Sequence, residues 1–264
     1  MNAERGADGA PSRPSSGRGR LGRRAFLVGG GLTALGLGGA ALAAGPDGIR
    51  GAYAQIVCGA VPAPPVTSPG TLQRSQVDRH RVIVGMPPGA TDGLPVVIML
   101  HGAAGDARTP FDVYAIDRYL AAGGGRFALA SIDDWPSADI PGSLLPYLSM
   151  NGMDTAKIGL MGWSAGGAGA LRLAAELGPA QVGAVVAASP AVSAAQAPLR
   201  ELVNIPVWLG CGERDAWARQ TQTMLKALKA LGATAEGGIS EGCQDTAYRR
   251  RVLPEQLAFL ARHI

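Results

Sequence analysis

The pentapeptide Gly162-Trp163-Ser164-Ala165-Gly166 carries the clearest chemistry in this chain. Glycine two positions to either side of a serine suits a sharp strand-to-helix turn, because side chains there would collide with neighbouring backbone. Such a turn lifts the hydroxyl clear of a sheet. It also sets the hydroxyl at a helix N-terminus, where free N–H groups and the dipole favour developing negative charge. That is the setting of an acyl-accepting nucleophile. With 39 glycines in the chain the pentapeptide also arises by chance, so its flanks decide. Residues 157–161 read as a strand before it, and a helix follows that should end at Gly178-Pro179.

Two further segments supply partners. Residues 96–100 run into His101-Gly102-Ala103-Ala104-Gly105-Asp106, a small-residue loop after a strand. Backbone N–H groups of Ala103 there and of Ala165 in the turn are placed to share an oxyanion. His101 is expected to fix that loop by hydrogen bonds rather than act as base. Downstream, the strand at 207–210 leads through Cys211 and Gly212 to Asp215, a triad acid in the expected order after serine. The competing role for Asp215 is a cap on the next helix.

The elements that must position these groups follow from periodicity. Strands are expected at 77–84, 96–100, 127–132, 157–161, 182–187, 207–210 and 233–238. The run at 96–100 is apolar on both faces, as in a central parallel strand. Trp217, Thr221, Leu225, Leu228 and Leu231 recur at helical steps, and Leu253, Leu257, Leu260 and Ile264 do so at the C-terminus, with Pro254 at a helix start. Strand–helix alternation with right-handed crossovers predicts an α/β class, with a mostly parallel central sheet and helices on both faces. There is no internal repeat.

The N-terminus reads as an address. Residues 1–20 are rich in Gly, Ser, Pro and Arg, and the paired Arg23-Arg24 with Phe26 and Leu27 precedes an uncharged Gly/Ala/Leu/Val run to Ala44. Residues 1–44 therefore resemble a twin-arginine export signal. Cleavage after Ala41-Leu42-Ala43 or Ala52-Tyr53-Ala54 is favoured over retention as a membrane anchor. Residues 45–75 are a Pro-rich lead-in, and the folded domain is expected over 76–264. The net charge of +4 resides wholly in residues 1–44, leaving 18 basic against 18 acidic residues beyond them. That neutral body gives no electrostatic case for nucleic acid. Arg249-Arg250-Arg251 is expected to be a solvated helix face.

Residues 77–264 resemble secreted actinobacterial α/β-hydrolase-fold proteins of the esterase group, relatives of esterase D and the mycolyltransferase-like enzymes. Met99-Leu100-His101-Gly102, Gly162-Trp163-Ser164-Ala165-Gly166-Gly167, Cys211-Gly212-Glu213-Arg214-Asp215 and the tail from Gly238 to Asp245 carry the resemblance. It implies the α/β-hydrolase fold and ester hydrolysis or acyl transfer through serine, histidine and acid. It also implies no cofactor, no metal and a small acyl or ester ligand. The family places Gly-Cys-His-Asp where this chain has Gly242-Cys243-Gln244-Asp245. Glutamine can hold a hydrogen bond to serine but cannot take its proton at neutral pH. His80 and His263 are expected to be surface or packing residues, not substitutes. The segment 189–205 is short where relatives insert a lid. In this fold Cys211 and Cys243 lie on turns after neighbouring strands, so an exported protein would let them pair, leaving Cys58 over. Two functions follow. One is an exported serine esterase or acyltransferase impaired at Gln244. The other is an inactive scaffold binding an acyl or ester ligand or a cell-envelope partner.

Overall fold

A computed structural model describes residues 58–264. The apolar runs form eight strands: β1 (Thr71–Val77), β2 (His80–Met86), β3 (Pro95–Leu100), β4 (Ala128–Ile132), β5 (Asp154–Trp163), β6 (Val182–Ala188), β7 (Val207–Gly212) and β8 (Ala235–Ser240). They make one sheet of order β1-β2-β4-β3-β5-β6-β7-β8. β1 pairs antiparallel with β2 and β2 with β4, and every other pairing is parallel.

Among the described residues six α-helices accompany the sheet: α1 (Thr109–Asp112), α2 (Ile116–Ala122), α3 (Leu145–Met150), α4 (Ala165–Gln181), α5 (Ala218–Ala230) and α6 (Thr246–His263). Alternate strand residues divide the core in two. Ile98, Leu100 and Leu160 meet α3, α4 and α5 on one face. Val97, Met99, Met161 and Trp163 meet α1, α2 and α6 on the other. Both faces of the central strands are dry, and each fully buried Leu or Ile contributes about 1.5–3 kcal/mol. The helix after Ser164 breaks at Gly178 (φ 74, ψ 175), ahead of Pro179.

Several expectations are corrected. The strand at 77–84 is two strands, because Asp78 (φ 52) and Arg79 form a tight turn that pairs Val77 with His80. Aspartate tolerates that left-handed backbone better than most residues. Ordered strand begins at Thr71, and the Pro-rich segment ahead of it is tied down. Arg250 Nη1 donates to Val61 O (3.0 Å), Arg118 Nε to Pro64 O (2.9 Å) and Tyr119 Oη to Pro62 O (3.2 Å). Arg250 and Arg251 are thus backbone clamps rather than a solvated face, and Arg251 Nη2 reaches Cys58 O at 3.3 Å.

Pro254 lies in the body of α6, which starts at Thr246 with the Asp245 carboxylate accepting Tyr248 N–H at 2.8 Å. Burial of Leu253, Leu257 and Leu260 outweighs the one helical hydrogen bond the proline removes. Leu231 ends 39% exposed, one residue beyond α5. The connection from β6 to β7 contains turns and no helix. No helix among the described residues is long and apolar enough to cross a membrane. The export segment at 1–44 lies outside the described residues.

Candidate active site

Ser164 joins β5 to α4 with φ 55 and ψ −120, a conformation that costs a non-glycine residue about 1–3 kcal/mol. The surroundings enforce it. Ser164 N–H donates to Ala188 O (3.0 Å), and Ser164 O accepts from Ala168 N (3.1 Å) and Ala191 N (3.0 Å). A Cβ on Gly166 would strike the carbonyls of Leu100 and His101, and one on Gly162 would strike the backbone of Gly166. Glycine at both positions is therefore the condition for the turn, and Ser164 stands half-buried at the sheet's C-terminal edge.

The loop after β3 lies against that turn. Gly102 is close enough that a Cβ there would sit 3.5 Å from Trp163 O and 3.7 Å from Ser164 Cβ. Ala165 N–H, in the first turn of α4, has no carbonyl one turn back. Ala103 N–H has no backbone acceptor among the described residues. His101 Nδ1 donates to Gly102 O (2.8 Å), and Trp135 Nε1 donates to His101 O (2.9 Å).

Asp106 closes the loop by accepting from Arg108 N (3.0 Å), Thr109 N (3.1 Å) and Arg108 Nε (3.0 Å). Burial would raise its carboxyl, but the bonds from Arg108 and Thr109 outweigh that and hold it below the usual carboxylate range. No sequence motif marks Trp135, which sits 34 residues from the carbonyl it pins.

Gln244, on the turn after β8, donates from Nε2 to Ser164 Oγ at 3.3 Å. Its turn interlocks with the one after β7 through Glu213 N–H to Ser240 O (2.8 Å) and Arg214 N–H to Gly242 O (3.1 Å). Asp215 is 7% exposed on the latter turn. Its Oδ1 accepts Trp217 N–H at 2.9 Å, a cap-like bond, while its Oδ2 is buried with no hydrogen-bond partner among the described residues. Serine and glutamine are therefore brought together, and no hydrogen bond joins Asp215 to Gln244. His80 is buried on β2 and His263 packs beside Phe259, their ring centroids 4.8 Å apart. Neither bonds Ser164.

The expected Cys211–Cys243 pair is overturned: Cys243 is bonded to Cys58, with Cα atoms 6.0 Å apart, and Cys211 is free. Cys211 belongs to β7 itself, so its side chain sinks beside Ser189 (Sγ to Oγ 3.6 Å) instead of reaching the outer turn. Cys243 lies where the segment at Cys58 passes. Three cysteines allow three pairings, and sequence alone does not choose among them. Burial, with the Asp215 charge nearby, pushes the Cys211 thiol up to about 11. Burial likewise raises the Tyr248 phenol on α6. One trio of metal-type side chains, Cys58, Cys243 and Asp245, gathers within 4.8 Å among the described residues. Its sulfurs are bonded to each other, which removes them as ligands.

On the opposite face, Arg249 donates to Tyr114 Oη and its guanidinium lies 4.9 Å from the Tyr114 ring centroid. Tyr114 in turn packs edge-on against Trp163 at 4.5 Å.

The strand order, the strained serine after β5 and the small-residue loop after β3 define an α/β-hydrolase fold. The matching family model is the Dienelactone hydrolase family, over residues 137–242. That match includes Ser164 and Asp215 and stops two residues short of Gln244.

Solved structures of the same fold include a ferulic acid esterase, at 15% identity and TM-score 0.62, covering 73% of this chain and 97% of that one. An S-formylglutathione hydrolase from Agrobacterium tumefaciens matches at 13% identity and TM-score 0.58, over 73% and 94% of the two chains. An arylesterase matches at 18% identity and TM-score 0.56, over 82% and 92%. Identities this low show the fold alone. No curated protein matches the sequence.

Proposed function

We propose that this chain is an exported serine-hydrolase-fold protein built for carboxylic ester hydrolysis or acyl transfer, with turnover impaired at Gln244. Ser164 is the nucleophile, Ala103 and Ala165 N–H groups receive the oxyanion, and Asp215 is the acid. The observation that carries this reading is the strained Ser164 turn with the Gln244 amide on its hydroxyl. The esterases among the structural neighbours support this reading. A fluorophosphonate probe should label the purified protein slowly, and Ser164→Ala should abolish labelling. Labelling that persists in Ser164→Ala would remove the serine from the reaction.

A second reading, an inactive scaffold holding an acyl or ester ligand or an envelope partner, is favoured by the residue at 244 alone. An amide cannot accept the serine proton. Complete inertness of Ser164 toward the probe would select it. Export is tested separately: fusing residues 1–54 to a reporter that folds in the cytoplasm should carry it across the membrane, and Arg23→Lys with Arg24→Lys should stop it.

A further inference from the structure

We propose that the groove between α2 and α6 binds a free medium-chain carboxylate, its alkyl chain lying beside Pro64 and its head on Arg126. This site lies apart from Ser164 and does not rest on the ester reading.

The groove encloses about 290 Å³. Tyr119 and Leu120 of α2, Phe127 ahead of β4, and Leu257, Ala258 and Ala261 of α6 form its walls. β3, β4 and β5 run parallel, so Phe127 stands where these strands start and Ser164 where they end. The groove and the serine turn are therefore at opposite edges of the sheet. Pro64 closes one side of the groove, and the chain there is fixed at two carbonyls. Arg118 Nε donates to Pro64 O (2.9 Å) and Tyr119 Oη to Pro62 O (3.2 Å).

The space exists because short side chains meet across it. On α6, Pro254, Leu257, Ala258 and Ala261 follow one another at helical steps. Leu257 turns into the core, while Pro254 and Ala258 stay exposed and carry no charge. The outward face of a surface helix is normally polar. Opposite them the turn after α2 offers Gly123 and Gly125, which add no side chain to fill the gap. The result is a preformed apolar slot. Its volume is near the lower bound of about 300 Å³ for small-molecule sites, so it takes one short alkyl chain and excludes the paired tails of a membrane lipid.

The charge at the rim selects the head group. Arg126 is the one charged side chain lining the groove, and no carboxylate lines it. Arg126 is exposed and takes part in none of the ion pairs among the described residues. A guanidinium fork matches a carboxylate through two parallel N–H···O bonds. An alkylammonium would be repelled there, and an alcohol would forgo the charge.

Calorimetric titration of the purified protein with hexanoate, octanoate and decanoate tests the proposal. Binding should saturate at one site and tighten by up to about fourfold per added methylene. Arg126→Glu should weaken decanoate about tenfold, because one exposed ion pair is lost and a like-charge contact replaces it. Ala258→Trp should fill the slot and abolish binding; Ala261→Met is the milder filling if tryptophan unfolds α6. Fluorophosphonate labelling of Ser164 should match wild type in every variant, which keeps this site distinct from the ester chemistry. Absence of saturable carboxylate binding overturns the site. Decanol binding as tightly as decanoate overturns the role of Arg126, and undiminished binding in the filled variants overturns the location. Cosedimentation with phosphatidylglycerol vesicles, without carboxylate binding, would assign the groove to a membrane surface and overturn the proposal.

Discussion

Replacing Gln244 by histidine tests the site at its weakest point, and the geometry sets the size of the effect. Gln244 Nε2 already stands 3.3 Å from Ser164 Oγ, just beyond the range of a working base hydrogen bond. An imidazole at that backbone position has similar reach, and the prediction requires its second nitrogen to meet Asp215, whose Oδ2 has no hydrogen-bond partner among the described residues. General-base catalysis contributes about 10²–10⁴-fold, which is about 2.7–5.5 kcal/mol of barrier. The looser contact argues for the lower end. Hydrolysis of a short p-nitrophenyl ester should therefore rise at least about a hundredfold in Gln244→His and vanish again when Ser164→Ala is added.

The rate in that variant should climb with pH as the new imidazole loses its proton, because only the neutral ring accepts from serine. The Asp215 carboxylate favours the charged ring and should move the midpoint above the usual histidine value of about 6.5. Adding Asp215→Asn should remove most of that gain by losing the tautomer and the imidazolium's counter-charge. Wild type hydrolysing the ester as fast as Gln244→His would refute the reasoning, since an unrecognised base would then be at work. So would a folded Gln244→His with no gain.

Further consequences concern the turn and the cysteines. Non-reducing peptide maps should link Cys58 to Cys243, and Cys58→Ser should lower stability by about 2–5 kcal/mol in a chemical denaturation series, given the long loop closed. Linkage of Cys243 to Cys211 instead would contradict the structure. Cys211 should resist iodoacetamide at pH 8 and react only on unfolding, because a thiol held at about 11 is thiolate to only about one part in a thousand there. Prompt alkylation of native protein would count against its burial. Ser164→Gly should be about 1 kcal/mol more stable than Ser164→Ala, since glycine adopts φ 55, ψ −120 without a Cβ penalty. A lower melting temperature for the glycine variant would show that the turn is unstrained.

The parts of this site legible in sequence are those that backbone sterics dictate. Gly162 and Gly166 announce the turn because any Cβ there meets main chain, and the doubly apolar run at β3 announces a central strand. Asp215 was singled out by its place after the strand at 207–210, whereas Gln244 was singled out only through the family resemblance. What sequence did not carry was anything fixed by side chains meeting across the fold. Arg250 and Arg251 read as a solvated charge run, yet their partners include carbonyls of a segment about 190 residues away. The pairing of Cys243 with Cys58 belongs to that same strap, so missing one meant missing the other.

This division bears on function as well. The Ser164 turn is held by backbone bonds to Ala188 and Ala191 and by glycines on either side, none of which involves residue 244. The turn therefore positions the Ser164 hydroxyl whichever residue stands at 244. The unpartnered oxygen of Asp215 is the more telling feature. A scaffold with no remaining use for a proton relay gains by giving that buried charge a donor or by replacing it with a neutral residue. The proposed role of Asp215 as the acid turns on that oxygen, and the Gln244→His and Asp215→Asn variants together test it.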